Sequence, residues 1–93
     1  MKVIAIDDEP IALNIIERYC ERRGGIVLET YSKPRMGMQR IREWLPDIVL
    51  LDIEMNGTSG IELARQLPSS CCLIFTTAYA HYALDGFEVN AVD

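Results

Sequence analysis

The chain is poor in the residues that build most catalytic and transition-metal centres. It contains one histidine, His81, and three cysteines, Cys20, Cys71 and Cys72. None of these stands at the spacing of a zinc or dithiol redox site, so the thiols are expected to be reduced and structural. Cationic residues are also in deficit, with 9 Lys and Arg against 14 Asp and Glu and a formal net charge of -5. Affinity for nucleic acid comes largely from neutralising phosphates with Lys and Arg. The balance therefore excludes this segment as a holder of a phosphate backbone, and DNA would be reached only through an effector domain outside it. Long apolar runs are missing too. The opening Met1–Ile6 is stopped by Asp7, too short for a signal peptide and far too short to span a bilayer. A cytoplasmic setting with no membrane partner is the expectation.

What the chain does have is a set of short buried strands, each ending in polar residues. Ile48-Val49-Leu50-Leu51 is an uninterrupted apolar run closed by Asp52. Such a run cannot alternate between core and water, so it reads as a strand covered on both faces of a parallel sheet. Asn56 and Gly57 follow as turn residues, which puts Asp52 at the carboxyl edge of the strand, where ligands bind in open α/β sheets. A chain of 93 residues, 49% hydrophobic and 25% charged, has room for one core.

Strand and helix alternate along the chain. Val3–Ile6 is the first strand, stopped by Asp7-Asp8-Glu9. Pro10 opens a helix, since its missing N–H would have no partner in the first turn. That helix runs to about Arg22, with Ala12, Ile15, Ile16 and Tyr19 as the stripe expected to face the sheet, and Gly24-Gly25 ends it. Residues 26–31 form a second strand, and Pro34 to Leu45 a second helix with Met38, Ile41 and Leu45 inward. Gly37 weakens that helix by about 1 kcal/mol relative to Ala, and Trp44 is assigned to packing. After the central strand come a turn through residues 56–58, a cap at Ser59 and a short helix from Gly60 to Leu67. Cys71 to Thr76 is the fourth strand, with Cys71 and Cys72 on opposite faces. A fourth helix is expected over residues 78–87, with His81 solvated near its start, and residues 90–93 begin a fifth strand.

Repeated strand–helix units give a doubly wound parallel sheet whose polar strand ends gather at one rim. Asp7, Asp8, Asp52, Thr76 and Thr77 lie at such ends. Carboxylates brought together raise at least one pKa unless a cation joins them. A hard, oxygen-seeking ion suits this donor set, and a few carboxylates with water and a phosphate is the usual way of holding Mg²⁺.

Four stretches carry a family resemblance: residues 6–10 (IDDEP), 46–55 (PDIVLLDIEM), 59–63 (SGIEL) and 75–79 (FTTAY). Together they resemble the receiver domain of bacterial two-component response regulators. The segment from Tyr82 to Asp93 is similar to the class whose full-length members carry a LytTR DNA-binding domain. The resemblance implies a flavodoxin-like receiver fold over residues 1–93 and a signalling role rather than an enzymatic one. It makes Asp52 the phosphoacceptor for a sensor histidine kinase. Asp7, Asp8, Asp52 and the backbone carbonyl of Glu54 would hold Mg²⁺, Asp8 directly and Asp7 mostly through water. Thr77 would be the hydroxyl that senses the phosphoryl group and moves helix four, leaving Thr76 as a strand residue.

Against the family pattern, Asn56 stands where a proline is usual. The family also continues from the position of Asp93 through the fifth strand to a Lys-Pro pair and a last helix. Read as it stands, the chain lacks most of that strand and all of that helix, and the open strand and bare sheet face favour a homodimer. Two further readings remain at this stage. One is an interaction module that takes no phosphoryl group. The other is a haloacid-dehalogenase-like phosphatase, suggested by the acid-x-acid spacing of Asp52 and Glu54.

Overall fold

In the computed structural model the residues described are 1–55 and 57–76. The elements in order are β1 (Lys2–Ile6), α1 (Pro10–Arg23), β2 (Val27–Tyr31), α2 (Pro34–Trp44), β3 (Ile48–Leu51), β4 (Glu54–Met55), β5 (Thr58–Ser59), α3 (Gly60–Ala64) and β6 (Cys72–Phe75). The expected fourth helix and fifth strand, with Thr77, His81 and Asn56, lie outside the described residues. No helix among the described residues is long and apolar enough to cross a membrane.

Four strands form a parallel sheet in the order β2-β1-β3-β6. The chain first winds outward from β1 to β2, then returns past β1 to β3, so the order reverses between β1 and β3. That reversal is the switch point at which open α/β sheets bind ligands. Register is continuous across the sheet: Ile4 lies beside Val49 and Val49 beside Leu73, while Ile6 lies beside Leu51 and Leu51 beside Phe75.

Side chains alternate between faces along each strand, and this alternation separates two apolar layers. Ile4, Ile6, Val49, Leu51 and Leu73 are fully buried on one face together with Met38 and Ile41 of α2 and Ala64 of α3. Val3, Ile48, Leu50 and Ile74 belong to the other face and line an apolar groove of about 450 Å³ with Ile15, Ile16 and Tyr19 of α1. Helix α1 packs on β1 and β2 and so covers only part of this face.

The expected stripe of α1 is therefore corrected. Leu13 and Cys20 are its buried side chains, whereas Ile15 and Tyr19 are 63% and 64% exposed. The period is helical as read, but the helix is rotated so that those two side chains edge the groove. Leu45 is corrected as well. It is the left-handed cap of α2, with φ 51° and its amide bonded to the Ile41 carbonyl, and it points to solvent instead of inward. Helix α3 stops at Ala64, three residues early, where Gln66 and Leu67 bond back three residues to Leu63 and Ala64 and tighten the turn. The turn expected over residues 56–58 is flanked by a short antiparallel pair, Glu54–Met55 against Thr58–Ser59, which takes in Thr58.

Other expectations stand. Ser59 accepts the Ile61 amide at 3.2 Å as the cap of α3, and Cys71 is buried while Cys72 is exposed. Trp44 packs against the core cluster beneath Lys2 and Arg40, whose cationic groups sit 5.0 and 5.2 Å from its ring centre. Arg40 also grips Glu29 through two bonds of 2.8 and 3.1 Å, and Tyr31 donates to the same carboxylate at 2.9 Å. These contacts fasten α2 to the edge strand β2 and hold the Glu29 carboxyl below its ordinary pKa.

Gly37 has a different purpose from the one its propensity suggested. A Cβ there would come within 2.6 Å of Ile6 Cδ1 and 3.2 Å of Tyr31 Cβ, so its absence lets α2 lie directly on β1 and β2. Overpacking a core costs about 1–3 kcal/mol, against a gain in helix propensity of about 1 kcal/mol for alanine. Ile6 is wholly buried and would meet the new Cβ with both Cδ1 and Cγ1, so Gly37→Ala is expected to lose about 1–2 kcal/mol in urea unfolding. Ile6→Val, which deletes the nearer of the two colliding Ile6 atoms, should recover part of that loss in the double variant.

Candidate functional site

The register of β1 and β3 builds the site. Ile6 and Leu51 are partners in the parallel ladder, so the next residues, Asp7 and Asp52, leave the sheet side by side. The backbone ties continue past the strands: the Asp52 amide donates to the Ile6 carbonyl at 3.1 Å, and the Asp7 amide to the Tyr31 carbonyl at 3.1 Å. Thr76 holds the same level beyond β6, its amide bonded to the Leu51 carbonyl at 3.0 Å. Its side chain is exposed.

Asp7, Asp8 and Asp52 each offer one carboxylate oxygen, and these oxygens lie within 4.8 Å of one another. Asp7 and Asp52 are buried at 6% and 8% exposure, and Asp8 is half-buried. Asp7 Oδ1 accepts the Glu9 amide at 2.9 Å, a local turn that fixes its carboxylate just ahead of Pro10. Sequence alone places Asp7 at the rim without this bond, although an acid two residues before the N-cap position, Glu9, is its signal.

Asp52 is the residue whose chemistry the fold alters most. Burial pushes its carboxyl up to about 6, the charges of Asp7 and Asp8 add to the rise, and a hydrogen bond from the Glu54 backbone amide opposes it. Two causes of that rise, negative charge and lost hydration, are what a divalent cation would relieve. The donor set is oxygen only, with no imidazole or thiolate among the three residues, which fits a hard ion such as Mg²⁺ rather than zinc.

Glu54 takes its place in the site from the hairpin. The Gly60 amide donates to the Ile53 carbonyl at 2.6 Å, and beyond it Glu54 is paired with Ser59 and Met55 with Thr58. The Glu54 amide donates to the Asp52 carboxylate.

Comparison with known proteins decides the family. A profile of the response regulator receiver domain matches residues 3–93. The chain belongs to the response regulator receiver domain family. Among similar proteins, an uncharacterized response regulatory protein of Vibrio cholerae is 38% identical over 96 residues, spanning 100% of this chain and 40% of the relative. The positive alginate biosynthesis regulatory protein of Pseudomonas aeruginosa is 38% identical, with 99% of this chain and 39% of the relative covered. Sensory transduction protein LytT of Bacillus cereus is 31% identical, at 100% and 39%. The last two are regulators of the LytTR class, the class the resemblance indicated. The receiver domain thus spans about two fifths of the length of the relatives it matches. Its fold is that of solved receivers. Response regulator TrrA of Thermotoga maritima, in complex with Mg²⁺ and a beryllium fluoride, superposes with a TM-score of 0.80 at 30% identity, covering 90% of this chain and 75% of that one. TrrA bound to the histidine kinase ThkA gives 0.74 at 30% identity, covering 87% and 72%.

The raised pKa of Asp52 fixes the sign of a pH effect on stability. Between the ordinary carboxylate value near 4 and about 6, the folded receiver keeps a proton on Asp52 that the unfolded chain releases. Stability contributed by this group is therefore full at low pH and lost as pH rises through about 6. In a chelator, thermal unfolding should show Asp52→Asn becoming more stable than the parent by about 1–3 kcal/mol at neutral pH, with the difference vanishing near pH 4. Millimolar Mg²⁺ should narrow the gap at neutral pH by stabilising the parent.

Proposed function

We propose that this receiver domain takes a phosphoryl group onto Asp52 from a sensor histidine kinase, with Mg²⁺ held at the carboxylate rim. The observation that carries the reading is the meeting of Asp7, Asp8 and Asp52 oxygens within 4.8 Å at the switch point of the sheet. Asp8 and Asp52 with the Glu54 carbonyl would hold the ion, and Asp7 would act on it mostly through water. Bound there, Mg²⁺ supplies positive charge against the phosphoryl oxygens and lowers the repulsion among the acids.

The remaining work falls to the chain's own residues. Phosphoryl transfer asks mainly for an in-line nucleophile and neutralised oxygens. Asp52 is presented at the rim by the end of β3, with the Glu54 amide hydrogen-bonded to its carboxylate. An oxygen of that carboxylate attacks phosphorus, the bond to the donor breaks, and the product is an aspartyl phosphate. The new group adds acceptor oxygens and negative charge. In this reading Thr77 turns its hydroxyl toward them and the following segment presents a changed surface to a partner. DNA would be reached through an effector domain, as in regulators of the LytTR class. The phosphatase alternative has no support in the family match.

Incubation with acetyl phosphate and Mg²⁺ followed by intact-mass measurement tests the reading. An adduct of about 80 Da, the mass of one phosphoryl group, is expected on the parent and absent from Asp52→Asn. Asp8→Asn should slow its formation by about 100-fold. No adduct at all would instead identify an interaction module that works unphosphorylated. Thr77→Ala should still form the adduct while losing the change in partner binding that phosphorylation produces, measured by titration of the kinase or effector domain.

A further inference from the structure

Gly60 is buried at the first position of α3, and its backbone does not require glycine, since its φ lies outside the positive range. What surrounds it does. A Cβ at this position would collide with the Asp52 carbonyl oxygen and come within 2.9 Å of both Asp52 C and Ile53 Cα. All three atoms are backbone, and they belong to the peptide that carries Asp52. Gly37, by contrast, faces side-chain atoms, which can rotate.

We propose that Gly60 is a positioning residue for the phosphoacceptor, its bare Cα acting as the surface on which the Asp52–Ile53 peptide is seated. The proposal rests on the reading of Asp52 given above and extends it. Two contacts with one residue define the seat. The Gly60 amide holds the Ile53 carbonyl at 2.6 Å, and the Gly60 Cα closes against the Asp52 carbonyl with no room for a methyl group. Between them the nine-residue segment 52–60 becomes a closed ring, completed by the pairing of Glu54 with Ser59 and Met55 with Thr58. Any side chain at residue 60 forces that residue and the Asp52 peptide apart by more than about 1 Å before ordinary van der Waals separation is restored. It also disturbs the register that directs the Glu54 amide to the Asp52 carboxylate. A misplacement of about 1 Å is enough to cost about 100-fold in a reaction that depends on alignment.

The test compares Gly60→Ala with Ile41→Val in the full chain. Ile41 is wholly buried in α2 and outside the 52–60 ring, so its variant lowers stability without moving Asp52. With acetyl phosphate and Mg²⁺, under conditions where circular dichroism shows both variants folded, Gly60→Ala should lose about 100-fold in the maximal rate of adduct formation. Its half-saturating acetyl phosphate concentration should stay within about threefold of the parent, since the fault lies in alignment rather than binding. Ile41→Val should keep the parent rate. A parental rate in Gly60→Ala, or an equal loss in both variants, overturns the proposal. Should Gly60→Ala unfold alone, trimethylamine N-oxide restores burial without adding a contact, and the same rates are read in it for all three proteins. If the parent itself takes no phosphoryl group, the reading of Asp52 fails separately. The seat is then judged by a crystal structure of Gly60→Ala, where an Asp52 peptide moved by less than about 0.5 Å overturns it and a larger shift supports it.

Discussion

Everything at the rim follows from the pairing of Ile6 with Leu51. Parallel strands in register send their side chains to matching faces and end at matching heights. Two acids placed one residue beyond such a pair have no freedom to be apart. The cost of bringing them together is met by the apolar layer on one side of the ladder, where Ile4, Ile6, Val49 and Leu51 are fully removed from water. A core of this kind tolerates repulsion at one edge because the repelling groups stand outside it, at the carboxyl ends of the strands. Burial first, and then the neighbouring charges of Asp7 and Asp8, raise the proton affinity of Asp52 at that edge.

The loop after β3 completes what the strands begin. A carboxylate at a strand end could swing freely, but the hairpin of residues 54–59 folds back and closes on Ile53 through Gly60. One acid is thus located by sheet register and its immediate surroundings by a two-stranded ring, two devices of different length scale. Helix α3, only five residues long, serves largely to anchor that ring to the core through Ala64.

Much of this could be read in the amino-acid sequence because buried parallel strands leave an unambiguous trace. Val3–Ile6 and Ile48–Leu51 are apolar at every position, and the acids that stop them stand where the sheet must end. Proline at residues 10 and 34 marks both long helices to the residue. The features that escaped are those that depend on a neighbour distant in the chain. Whether Ile15 or Leu13 of α1 is buried is decided by how the helix sits on β1 and β2, which no periodicity records. Leu45 fits an inward stripe by spacing, yet the left-handed cap at the end of α2 carries it outward. Gly37 reads as a weak point of a helix until Ile6 is seen against it, and the hairpin at residues 54–59 is too short to show a strand pattern of its own.

The lone tryptophan sits at the other end of the molecule from the acids. Trp44 lies under the ammonium group of Lys2, the first residue of β1, with Arg40 also over its ring, whereas Asp7 follows the last residue of that strand, a span of roughly 16 Å. Its indole emission is therefore an optical gauge of whether the base of the sheet is assembled. It is deaf to events at the acidic end, so an ion or phosphoryl group arriving there must be followed by another kind of light.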